Sequence, residues 1–489
     1  CQTQFIILRL PQKPIAQFVS KLDFTASLTE LFTKHFGEAP QHVALMPASG
    51  SDRRYVRMSN EKHSVVGAYN PDKRENNTFF YFTQVFGKHK MPVPEIIAKS
   101  KDKQFYLLQD LGNTSLFELL EKEGFTEHIK SLFKKSIDNL IRFHWEAGKE
   151  IDYSLCFAAQ SFDRSQILSD LLYFKYYFVD LMKIHYNKPR LLEELEAWSR
   201  SLASARPQTF MYRDFQSRNI QVVDNEVYFI DYQGGMLGMP QYDLASLLWQ
   251  ARAQLPNEWK NELVNYYFSN LSSVPETPSF NEMDFRRVYL ECVLLRILQT
   301  LGAYGFRGLL ERKPHFIKSI KPALQQLSFF LETYGHIPAH SELRSVLEQL
   351  VKPEITAQFD GIDKEVVKKS PLKISVYSFS YKKGIPADIS GHGGGFVFDC
   401  RGVLNPGRID QYKTITGKEA SVIEYLQTKT LMPQFLDSVF ATVDISVDDY
   451  LKRGFDHLTV SFGCTGGQHR SVFAAEAMVQ HLKDKYGLT

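Results

Sequence analysis

One short stretch of the sequence contains three polar residues whose types and spacing suit phosphoryl transfer. Asp214 and Asn219 form a D-x4-N pattern, and Asp231 ends the next apolar segment. Phosphoryl transfer needs a carboxylate that accepts the proton of the attacking hydroxyl, and an amide and a second carboxylate that hold Mg²⁺. We therefore predict that Asp214 is the catalytic base and that Asn219 and Asp231 are the Mg²⁺ ligands.

A hairpin is the element that must bring these residues together. Phe210–Tyr212 is a short apolar segment, and two β-branched segments, Ile220–Val223 and Val227–Ile230, flank a turn at 224–226. This pattern predicts a strand, a polar loop and a two-stranded hairpin, whose adjoining loops would converge. In the alternative interpretation, the two aspartates and the asparagine are ordinary turn and strand-end residues. The agreement of three separate positions favours the functional interpretation.

Length and composition indicate several globular domains in a reducing compartment. The 489 residues suggest two or three domains, and a net charge of +3 is too small for bulk nucleic-acid binding. The five cysteines are widely spaced and include no CxxC pair, which argues against a disulfide framework and a structural zinc site. No apolar run reaches the roughly 18–20 residues of a membrane span. We expect a cytoplasmic protein with no membrane partner.

Changes of pattern along the chain predict four segments. An extension over 1–26 precedes a region over 27–350, in which a small group of strands with one helix is followed by helices. A polar, charged linker over 351–370 leads to a region over 371–489, in which strands and helices alternate. The sequence thus predicts a small β-rich lobe, a helical lobe and a separate α/β domain.

The segment that carries the three polar residues resembles the aminoglycoside phosphotransferase and choline kinase superfamily, a relative of the protein kinases. The motif of that family reads H-G-D-x4-N and then I-D-[WF], and Tyr212-Arg213-Asp214 stands at its start here. Gly238–Ala245 matches the family's G-x-x-x-Y-D-L-A element. The resemblance implies that Asp243 and Arg213 support the catalytic loop. It also implies an α+β bilobal protein-kinase-like fold, with a small β-rich N-lobe and a helical C-lobe, ahead of the α/β domain.

Three segments resemble a narrower group, the anomeric sugar kinases that act on N-acetylmuramate and N-acetylglucosamine. They read IDYQGGMLGMPQYDLASLL, SGSDRRYVRM and RILQTLGAYG, and the resemblance covers about residues 27–335. It implies an enzyme that uses ATP and Mg²⁺ to phosphorylate the 1-hydroxyl of a cell-wall amino sugar. Periodicity and spacing do not themselves indicate the sugar.

The kinase resemblance also implies a loop that faces the phosphates of ATP. A glycine in such a loop lets backbone amides approach a phosphate. The expected phosphate-binding residues are Ser49, Gly50, Ser51 and Arg54. Kinase folds usually carry a lysine on the third strand, but HSVVGAYN has none. Arg54, Arg57 or Lys73 could replace that lysine, and Arg54 is our first choice. Glu75 is interpreted as a solvated residue at a helix start.

The adenine hinge is expected directly after an apolar strand, FYLLQ. Gln109, Asp110 and Leu111 would read the adenine ring through backbone hydrogen bonds. An ordinary junction between a strand and a loop would have the same sequence pattern. The hinge therefore rests on the resemblance and not on a side-chain signature.

A second candidate site lies near the C-terminus, where an apolar strand, a glycine-rich loop and a helix follow each other. Free backbone amides and the helix dipole at such a junction bind anions, and an arginine can add a bidentate contact. The expected anion loop consists of Cys464, Thr465, Gly466, Gly467, Gln468, His469, Arg470 and Ser471. We favour a phosphate-type ligand over a purely structural turn.

The same loop has the C-x5-R format of cysteine phosphatases, in which the loop lowers the pKa of the thiol. A phosphatase also needs a general acid, and Asp399 is only a remote candidate. We therefore favour binding of a phosphorylated ligand over its hydrolysis.

GCTGGQHRS, together with SFSYKKGIP, FVFDCRGVLNP and SVIEYLQ, resembles the C-terminal domain family of the RNase adapter RapZ over about residues 371–489. The resemblance implies that this domain binds RNA and senses an amino-sugar phosphate. The adapter's P-loop ATPase is replaced here by the kinase-like region, and the loops at 391–395 and Gly402 differ. RNA binding is therefore the weaker inference of the two.

The leading hypothesis is an ATP-dependent sugar kinase, a phosphotransferase with an alcohol group as acceptor. It would phosphorylate the anomeric hydroxyl of N-acetylmuramate or N-acetylglucosamine in cell-wall recycling, and its C-terminal domain would bind a phosphorylated ligand. The alternative is a regulatory pseudokinase and RNA-binding adapter that senses amino-sugar phosphates. A third hypothesis is a bifunctional enzyme whose C-x5-R domain performs phosphate or nucleotide chemistry. The intact set of Asp214, Asn219 and Asp231 favours the kinase.

Overall fold

The computed structural model describes residues 6–9, 24–46, 53–271, 274, 281–360, 372–386, 395–453 and 455–487. The chain divides into two compact units, Lys21–Lys364 and the combination of Cys1–Ser20 with Glu365–Thr489. The first strand, β1 (Ile6–Arg9), belongs to the second of these units. Within the described ranges, no helix combines the length and the apolar character that crossing a membrane requires.

The N-lobe of the larger unit is an antiparallel sheet that is covered by helices. Its elements are α1 (Phe24–Phe36), β2 (His42–Leu45), β3 (Arg54–Ser59), β4 (Ser64–Tyr69), α2 (Lys73–Lys88), β5 (Ile96–Lys99) and β6 (Phe105–Gln109). The strand order is β2-β3-β4-β6-β5. Leu28 and Phe32 of α1 pack on Val56 and Met58 of β3, and all four side chains are fully buried. Their burial is the main stabilisation of this small lobe.

The C-lobe is mainly helical, with four short strands between its fourth and fifth helices. Its elements are α3 (Leu116–Glu123), α4 (Glu127–Trp145), α5 (Arg164–Phe174), α6 (Lys188–Ala203), β7 (Thr209–Met211), β8 (Ile220–Val223), β9 (Glu226–Phe229), β10 (Met236–Gly238), α7 (Pro240–Leu248), α8 (Asn257–Asn270), α9 (Glu282–Tyr304), α10 (Pro314–Thr333), α11 (Ser341–Leu350) and α12 (Pro353–Thr356). Its core is continuous with the aromatic face of α2, since the ring of Phe86 lies 4.9 Å from Phe143 and 5.4 Å from Phe210.

The hairpin that the sequence predicts is present. β8 and β9 pair in antiparallel register, with Ile220 opposite Phe229 and Val223 opposite Glu226. β7 pairs with β10. Gly235 directly precedes β10, and there is no room for a side chain at this position. A Cβ atom on Gly235 would come within 2.4 Å of the ring of Phe210, so a larger residue would displace the strand. The two small sheets place the polar loop after β7 beside the segment after β9.

The second unit is built on a sheet with three parallel strands, as its alternating pattern predicts. Its further elements are β11 (Lys373–Ser380), β12 (Phe396–Asp399), α13 (Ala420–Thr428), α14 (Met432–Arg453), β13 (His457–Cys464) and α15 (Arg470–Tyr486). The strand order is β1-β11-β13-β12, and only β1 is antiparallel to its neighbour. The N-terminal segment over 1–26 therefore contributes an edge strand to this sheet.

The described structure confirms the fold class that the sequence indicates. A β-rich N-lobe and a helical C-lobe make up a bilobal protein-kinase-like unit, and a separate α/β sheet with helices follows. Since β11, β12 and β13 are parallel, their carboxyl ends meet at one edge, where Ser380 is the partner of Cys464 and Asp399 that of Gly463. In open parallel sheets this edge is the usual position of a ligand.

Candidate functional site

A buried carboxylate holds the loop that follows β7. Asp243, in the first turn of α7, accepts hydrogen bonds from the backbone N–H groups of Tyr212 (2.6 Å) and Arg213 (2.9 Å). His144 Nε2 lies 3.0 Å from the same carboxylate, and its Nδ1 lies 2.9 Å from the hydroxyl of Tyr267. Asp243, His144 and Tyr267 are completely buried. Because unpaired polar groups are costly in a core, this network fixes the path of the chain up to the predicted base.

Arg213 lies where the loop turns sharply. Its φ is +79°, in the left-handed region that costs a non-glycine residue about 1 kcal/mol or more. Its Nη2 lies 2.9 and 2.8 Å from the two carboxylate oxygens of Asp170, and its guanidinium lies 4.5 Å from the centre of the Phe162 ring. These contacts anchor the side chain in the C-lobe.

Asp214 follows with a side chain that is 44% exposed. Its Oδ1 lies 3.1 Å from Nη2 of Arg296, on α9, and 3.2 Å from Nε2 of Gln216. Burial opposes ionisation, but the positive charges of Arg296, Arg213 and Arg218 outweigh it and hold the pKa of Asp214 below its ordinary value. The carboxylate is therefore ionised at neutral pH, as the acceptor of a hydroxyl proton must be.

Asn219 and Asp231 are brought together by one backbone hydrogen bond. The carbonyl of Asn219 accepts the N–H of Ile230 (3.0 Å), the residue directly before Asp231. The side-chain Nδ2 of Asn219 donates to the carbonyl of Asp214 (2.9 Å). Asp231 has a φ of +69° and accepts a hydrogen bond from Nε2 of Gln233 (2.7 Å). The three residues that carry the D-x4-N and Asp pattern thus surround one loop.

The donor set in this loop suits Mg²⁺ bound together with a nucleotide. No described part of the chain brings three or more His, Cys, Asp or Glu side chains into a group that could hold a metal ion. The amide oxygen of Asn219 and the exposed carboxylate of Asp231 offer two hard oxygen atoms. Mg²⁺ is commonly bound through one or two carboxylates with phosphates and waters completing its octahedron, so the residues present fit this ion.

Glu75 is paired and not solvated, which corrects the sequence interpretation. Its Oε1 lies 3.0 Å from Nη2 of Arg53, and its Oε2 accepts a hydrogen bond from Nδ2 of Asn70 (2.7 Å). The Arg53 side chain is 4% exposed. Its Nε is buried and has no hydrogen-bond partner among the described residues. An ion pair between Arg53, directly before β3, and Glu75, in the first turn of α2, is therefore present in the N-lobe.

The three bases named from the sequence do not contact Glu75. Arg54 is exposed, with its guanidinium 5.6 Å from the centre of the Phe24 ring. Arg57 is bonded to Asp110, and Lys73 is exposed in the first turn of α2. Ser49, Gly50 and Ser51 lie outside the described residues. The alternation of side chains along β3 explains why Arg53 and not Arg54 pairs with Glu75.

Strand periodicity could have identified Arg53. Val56 and Met58 are the apolar residues of β3 and are buried against α1. Side chains two apart share a face of a strand, so Arg54 lies on the face of Val56, and Arg53 lies on the other. The apolar pattern therefore assigns the two neighbouring arginines to opposite faces of the sheet.

The hinge segment is tied to the N-lobe through the side chain of Asp110. Its carboxylate accepts hydrogen bonds from Nη2 of Arg57 (2.9 Å), the hydroxyl of Ser64 (2.6 Å) and the N–H of Gly112 (3.0 Å). The N–H of Gln109 donates to the Glu95 carbonyl (2.9 Å), and Leu111 is buried. The Asp110 side chain and the N–H of Gln109 are thereby occupied.

Basic residues collect near Tyr304, at the end of the helix that carries Arg296. Burial raises the pKa of Tyr304, while the positive charges of Arg218, Arg296 and Arg252 act to lower it. Arg218 is exposed and forms no ion pair or hydrogen bond with any described residue. Arg296 begins the segment RILQTLGAYG, but its proximity to Asp214 depends on how α9 packs against α7. Arg218 follows Asp214 by four residues in the same loop.

The C-terminal loop forms a compact turn around a thiol. Cys464 ends β13, and its Sγ accepts the N–H of Gly467 (3.2 Å) and lies 3.1 Å from the hydroxyl of Ser471. Burial raises the pKa of Cys464, but hydrogen bonds from Ser471, Gly467 and Gln468 outweigh it, and the net pKa is lowered. The hydroxyl of Ser380, on β11, donates to the carbonyl of Thr465 (2.8 Å). The loop is therefore held from inside and from the neighbouring strand.

The second half of this loop is fixed by side chains that bond to backbone carbonyls. Nη1 of Arg470 donates to the carbonyls of Arg401 (3.1 Å) and Val403 (2.7 Å), and its Nε is buried without a partner among the described residues. His469 Nε2 lies 2.8 Å from the Tyr412 carbonyl. The exposed Gly466 lies at the tip. The backbone at the start of α15 is thereby held open towards the edge of the sheet.

Asp399 has the wrong electrostatics for a general acid beside this loop. Its carboxylate accepts hydrogen bonds from the backbone N–H (2.8 Å) and Nε (2.9 Å) of Arg401. These bonds hold the pKa of Asp399 below its ordinary value. A general acid must be protonated near the working pH, so the geometry favours binding of a ligand over hydrolysis.

Comparison with known protein families divides the chain in the same way. Residues 44–279 match a family model described as "Phosphotransferase enzyme family", and residues 372–489 match the "RapZ C-terminal domain".

Two curated relatives are each described as "Nucleotide-binding protein". That of Acidothermus cellulolyticus is 39% identical over 112 residues, which are 23% of this chain and 34% of the relative. That of Acidobacterium capsulatum is 41% identical over 114 residues, 23% of this chain and 36% of the relative. The chain spans about a third of the length of these relatives.

Solved structures with a similar fold have low sequence identity. A choline/ethanolamine kinase family protein from Mesorhizobium loti is 13% identical, with 67% of this chain and 98% of that chain covered and a TM-score of 0.43. The amicoumacin kinase hAmiN, in complex with AMP-PNP, Ca²⁺ and Ami, is 11% identical, with 66% and 95% covered and a TM-score of 0.47.

Removal of the Asp243 carboxylate should destabilise the larger unit. We expect Asp243→Ala to lower its free energy of unfolding by roughly 3–5 kcal/mol, because buried N–H groups would lose their acceptor. All four tryptophans lie between residues 145 and 259, so tryptophan fluorescence during urea unfolding reports on this unit alone. Asp231→Asn, at an exposed carboxylate, is the control and should change stability by less than about 0.5 kcal/mol. Equal stability of both variants would contradict the bracing role.

Proposed function

We propose that the unit Lys21–Lys364 is an ATP- and Mg²⁺-dependent kinase. Its acceptor would be the anomeric hydroxyl of an amino sugar, N-acetylmuramate or N-acetylglucosamine, in cytoplasmic recycling of cell-wall sugars. The observation that carries the proposal is an ionised, half-exposed Asp214 beside the oxygen ligands of Asn219 and Asp231. The match of residues 44–279 to the phosphotransferase model supports it.

In the proposed reaction, Asp214 accepts the proton of the anomeric hydroxyl as that oxygen attacks the γ-phosphorus of ATP. The bond from the γ-phosphorus to the bridging oxygen breaks, and ADP leaves with the electron pair. Asn219 and Asp231 would hold Mg²⁺, which neutralises charge on the phosphate oxygens when bound. Arg296 holds Oδ1 of Asp214 at 3.1 Å and so fixes the orientation of the base.

Arg53 is the proposed contact to the ATP phosphates in place of the usual lysine. Glu75 and Asn70 fix one side of the arrangement, and the buried Nε of Arg53 still has a donor to offer. A guanidinium offers a planar fork of donors that matches phosphate oxygens. The phosphate contacts proposed from the sequence for Ser49, Gly50 and Ser51 remain part of the proposal, as does adenine recognition by the backbone of Gln109, Asp110 and Leu111.

The charges near Asp214 favour N-acetylmuramate, which carries a carboxylate, over the neutral N-acetylglucosamine. Arg218 is exposed and unpaired among the described residues, and its charge reaches both Asp214 and Tyr304. Tyr304, which the charge of Arg218 reaches, places an aromatic ring near this cation. An aromatic ring near a cation is a suitable surface for an acidic sugar.

The first test of the kinase is formation of sugar 1-phosphate from ATP, Mg²⁺ and each amino sugar. We expect Asp214→Asn to lower kcat by about 100-fold or more with little change in KM, because a general base typically contributes 10²–10⁴-fold. Asp224→Asn, in the hairpin turn away from the loop, should keep wild-type activity. The absence of product with the wild-type chain, or undiminished product with Asp214→Asn, would exclude the proposed reaction.

Arg218 provides a test of the acceptor. We expect Arg218→Gln to raise KM for N-acetylmuramate about 10-fold or more, since the loss of a charge-assisted hydrogen bond costs roughly 1.5–3 kcal/mol. KM for N-acetylglucosamine should change by less than about 2-fold. Arg190→Gln, at an exposed arginine on α6, is a matched control. A parallel change for both sugars would show that Arg218 does not recognise the carboxylate.

For the second unit, we propose binding of a phosphorylated ligand, in particular an amino-sugar phosphate, at the loop Cys464–Ser471. The glycine tip and the start of α15 support the proposal, and the hydrogen bonds that lower the thiol pKa show that donors already converge on this loop. The match of residues 372–489 to the RapZ C-terminal domain supports this. The alternative is an RNA-binding adapter that senses amino-sugar phosphates, in which the kinase-like unit only binds its ligands.

Arg470 allows these two roles to be compared. We expect Arg470→Gln, which removes the guanidinium charge, to weaken binding of glucosamine 6-phosphate about 10-fold or more, measured by calorimetry. Lys382→Gln, at an exposed lysine, should leave it unchanged. Equal binding by both variants would remove the anion loop from the proposal. Tight binding of single-stranded RNA without phosphosugar binding would favour the adapter.

A further inference from the structure

A cavity of about 180 Å³ lies in the C-lobe, between helices that are not part of the proposed ATP or sugar site. α8, α9, the end of α7 and the end of α10 form its walls. Trp249, Val264, Leu290 and Tyr334 give it a mainly apolar lining. At ~30 Å³ per water in the liquid, the volume corresponds to about six waters, which is enough for one ring-sized molecule.

Lys260 lines this cavity with a buried ammonium group. The residue is 6% exposed, and its Nζ lies 4.0 Å from the centre of the Trp249 ring. Its one hydrogen bond to a described residue, with Oδ1 of Asn257, is long at 3.4 Å. No described carboxylate lies within 4 Å of Nζ, and burial lowers the pKa of Lys260 to about 8. A buried lysine without an anion is rare because desolvation of the charge is expensive.

Lys175, the other buried lysine of this unit, has the partners that Lys260 lacks. It is 5% exposed, and its Nζ lies 3.0 Å from Oδ2 of Asp180. Hydrogen bonds that Lys175 donates to Tyr186 and Asp180 outweigh burial and raise the pKa of Lys175. The same fold thus neutralises one buried ammonium internally and leaves the other at the wall of a cavity.

The start of α8 adds positive potential to the same place. Asn257 is the first residue of α8, and Pro256 before it makes no side-chain cap, so the first N–H groups of the helix have no capping partner there. The positive end of the helix dipole lies close to Lys260, which is the reverse of the stabilising arrangement. Arg286, also at the cavity, is already paired with Glu282 (2.6 Å). An anion in the cavity would offset both the desolvation of the Lys260 charge and its repulsion by the helix dipole.

The mainly apolar lining of the cavity favours a carboxylate over a phosphate. A phosphate that entered this apolar cavity would lose the hydration of up to two negative charges. Lys260 alone would have to compensate for that cost. A carboxylate has a single charge, and an apolar body attached to it would fill the rest of the cavity and bury apolar surface. The side-chain amide of Asn261 and the hydroxyl of Tyr334 line the same space and offer donors.

We propose that this cavity is a binding site for a small carboxylate with a compact apolar body, and that Lys260 is its counter-ion. Trp249 ends the helix that carries Asp243, and Tyr289 lies on the helix that carries Arg296. A ligand in the cavity would therefore contact two of the helices that hold the catalytic loop. The site is separate from the proposed acceptor site and does not depend on the kinase proposal.

The test uses the full chain with benzoate as the probe, and benzamide and inorganic phosphate as comparisons. We expect benzoate to raise the melting temperature that tryptophan fluorescence reports, and benzamide and phosphate to bind at least 10-fold more weakly. Lys260→Met should itself raise the melting temperature, because an uncompensated buried charge is removed, and should weaken benzoate binding at least 10-fold. Lys175→Met is the matched control and should lower stability but retain benzoate binding.

Several results would overturn the proposal. Benzoate binding by Lys260→Met with wild-type affinity would show that the ammonium is not the counter-ion. Benzamide or phosphate binding as tight as benzoate would contradict the carboxylate class, and the absence of benzoate binding to the wild-type chain would contradict the site. If Lys260→Met does not fold, Lys260→Gln serves in its place with the same expectations. Because no nucleotide or sugar is present, these outcomes are independent of phosphoryl transfer.

Discussion

The acceptor network of Asp243 is the interaction on which the geometry of the larger unit depends. One carboxylate receives two backbone N–H groups of the loop after β7 and also contacts His144 of α4, which continues to Tyr267 of α8. Three helices and one loop thus meet at a single buried charge. An ionised group in a core is tolerated only when its lone pairs are used, so these elements must keep their relative positions. That rigidity maintains the left-handed conformation of Arg213, which the loop alone would not favour.

Arginines set the electrostatics on both sides of this loop. Arg296 lies 3.1 Å from the exposed base, while Arg53 lies 3.0 Å from a glutamate on α2. Guanidinium groups stay protonated when buried, so each arginine keeps its positive charge at any pH at which the protein is folded. The long, forked side chain suits the role that we propose for Arg53, which lies before β3, in place of a lysine on the next strand. Lys73, in the first turn of α2, is exposed and is not needed for this pair.

The sequence predicted those features that depend on local spacing. The hairpin Ile220–Val223 with its partner strand follows from β-branched residues around a polar turn, and the two-lobed order follows from the change of periodicity. Arg53 lies one residue before β3, so it is identified only if the alternation of buried and exposed side chains in that strand is extended back by one position. Arg296 could not be found in this way. Its contact with Asp214 spans 82 positions and depends on the packing of α9 against α7, which no local pattern records.

The C-x5-R loop of the second unit shows how one spacing can serve two different chemistries. A phosphatase needs a nucleophilic thiolate that is open to substrate, yet Cys464 is 3% exposed and its Sγ already accepts the N–H of Gly467. Arg470 is likewise occupied with the carbonyls of Arg401 and Val403. We infer that the thiol shapes the loop from behind, while the buried Nε of Arg470, which has no partner among the described residues, is left as a donor for an anion. An anion bound at the start of α15, at the edge of the sheet, would then be held without being attacked.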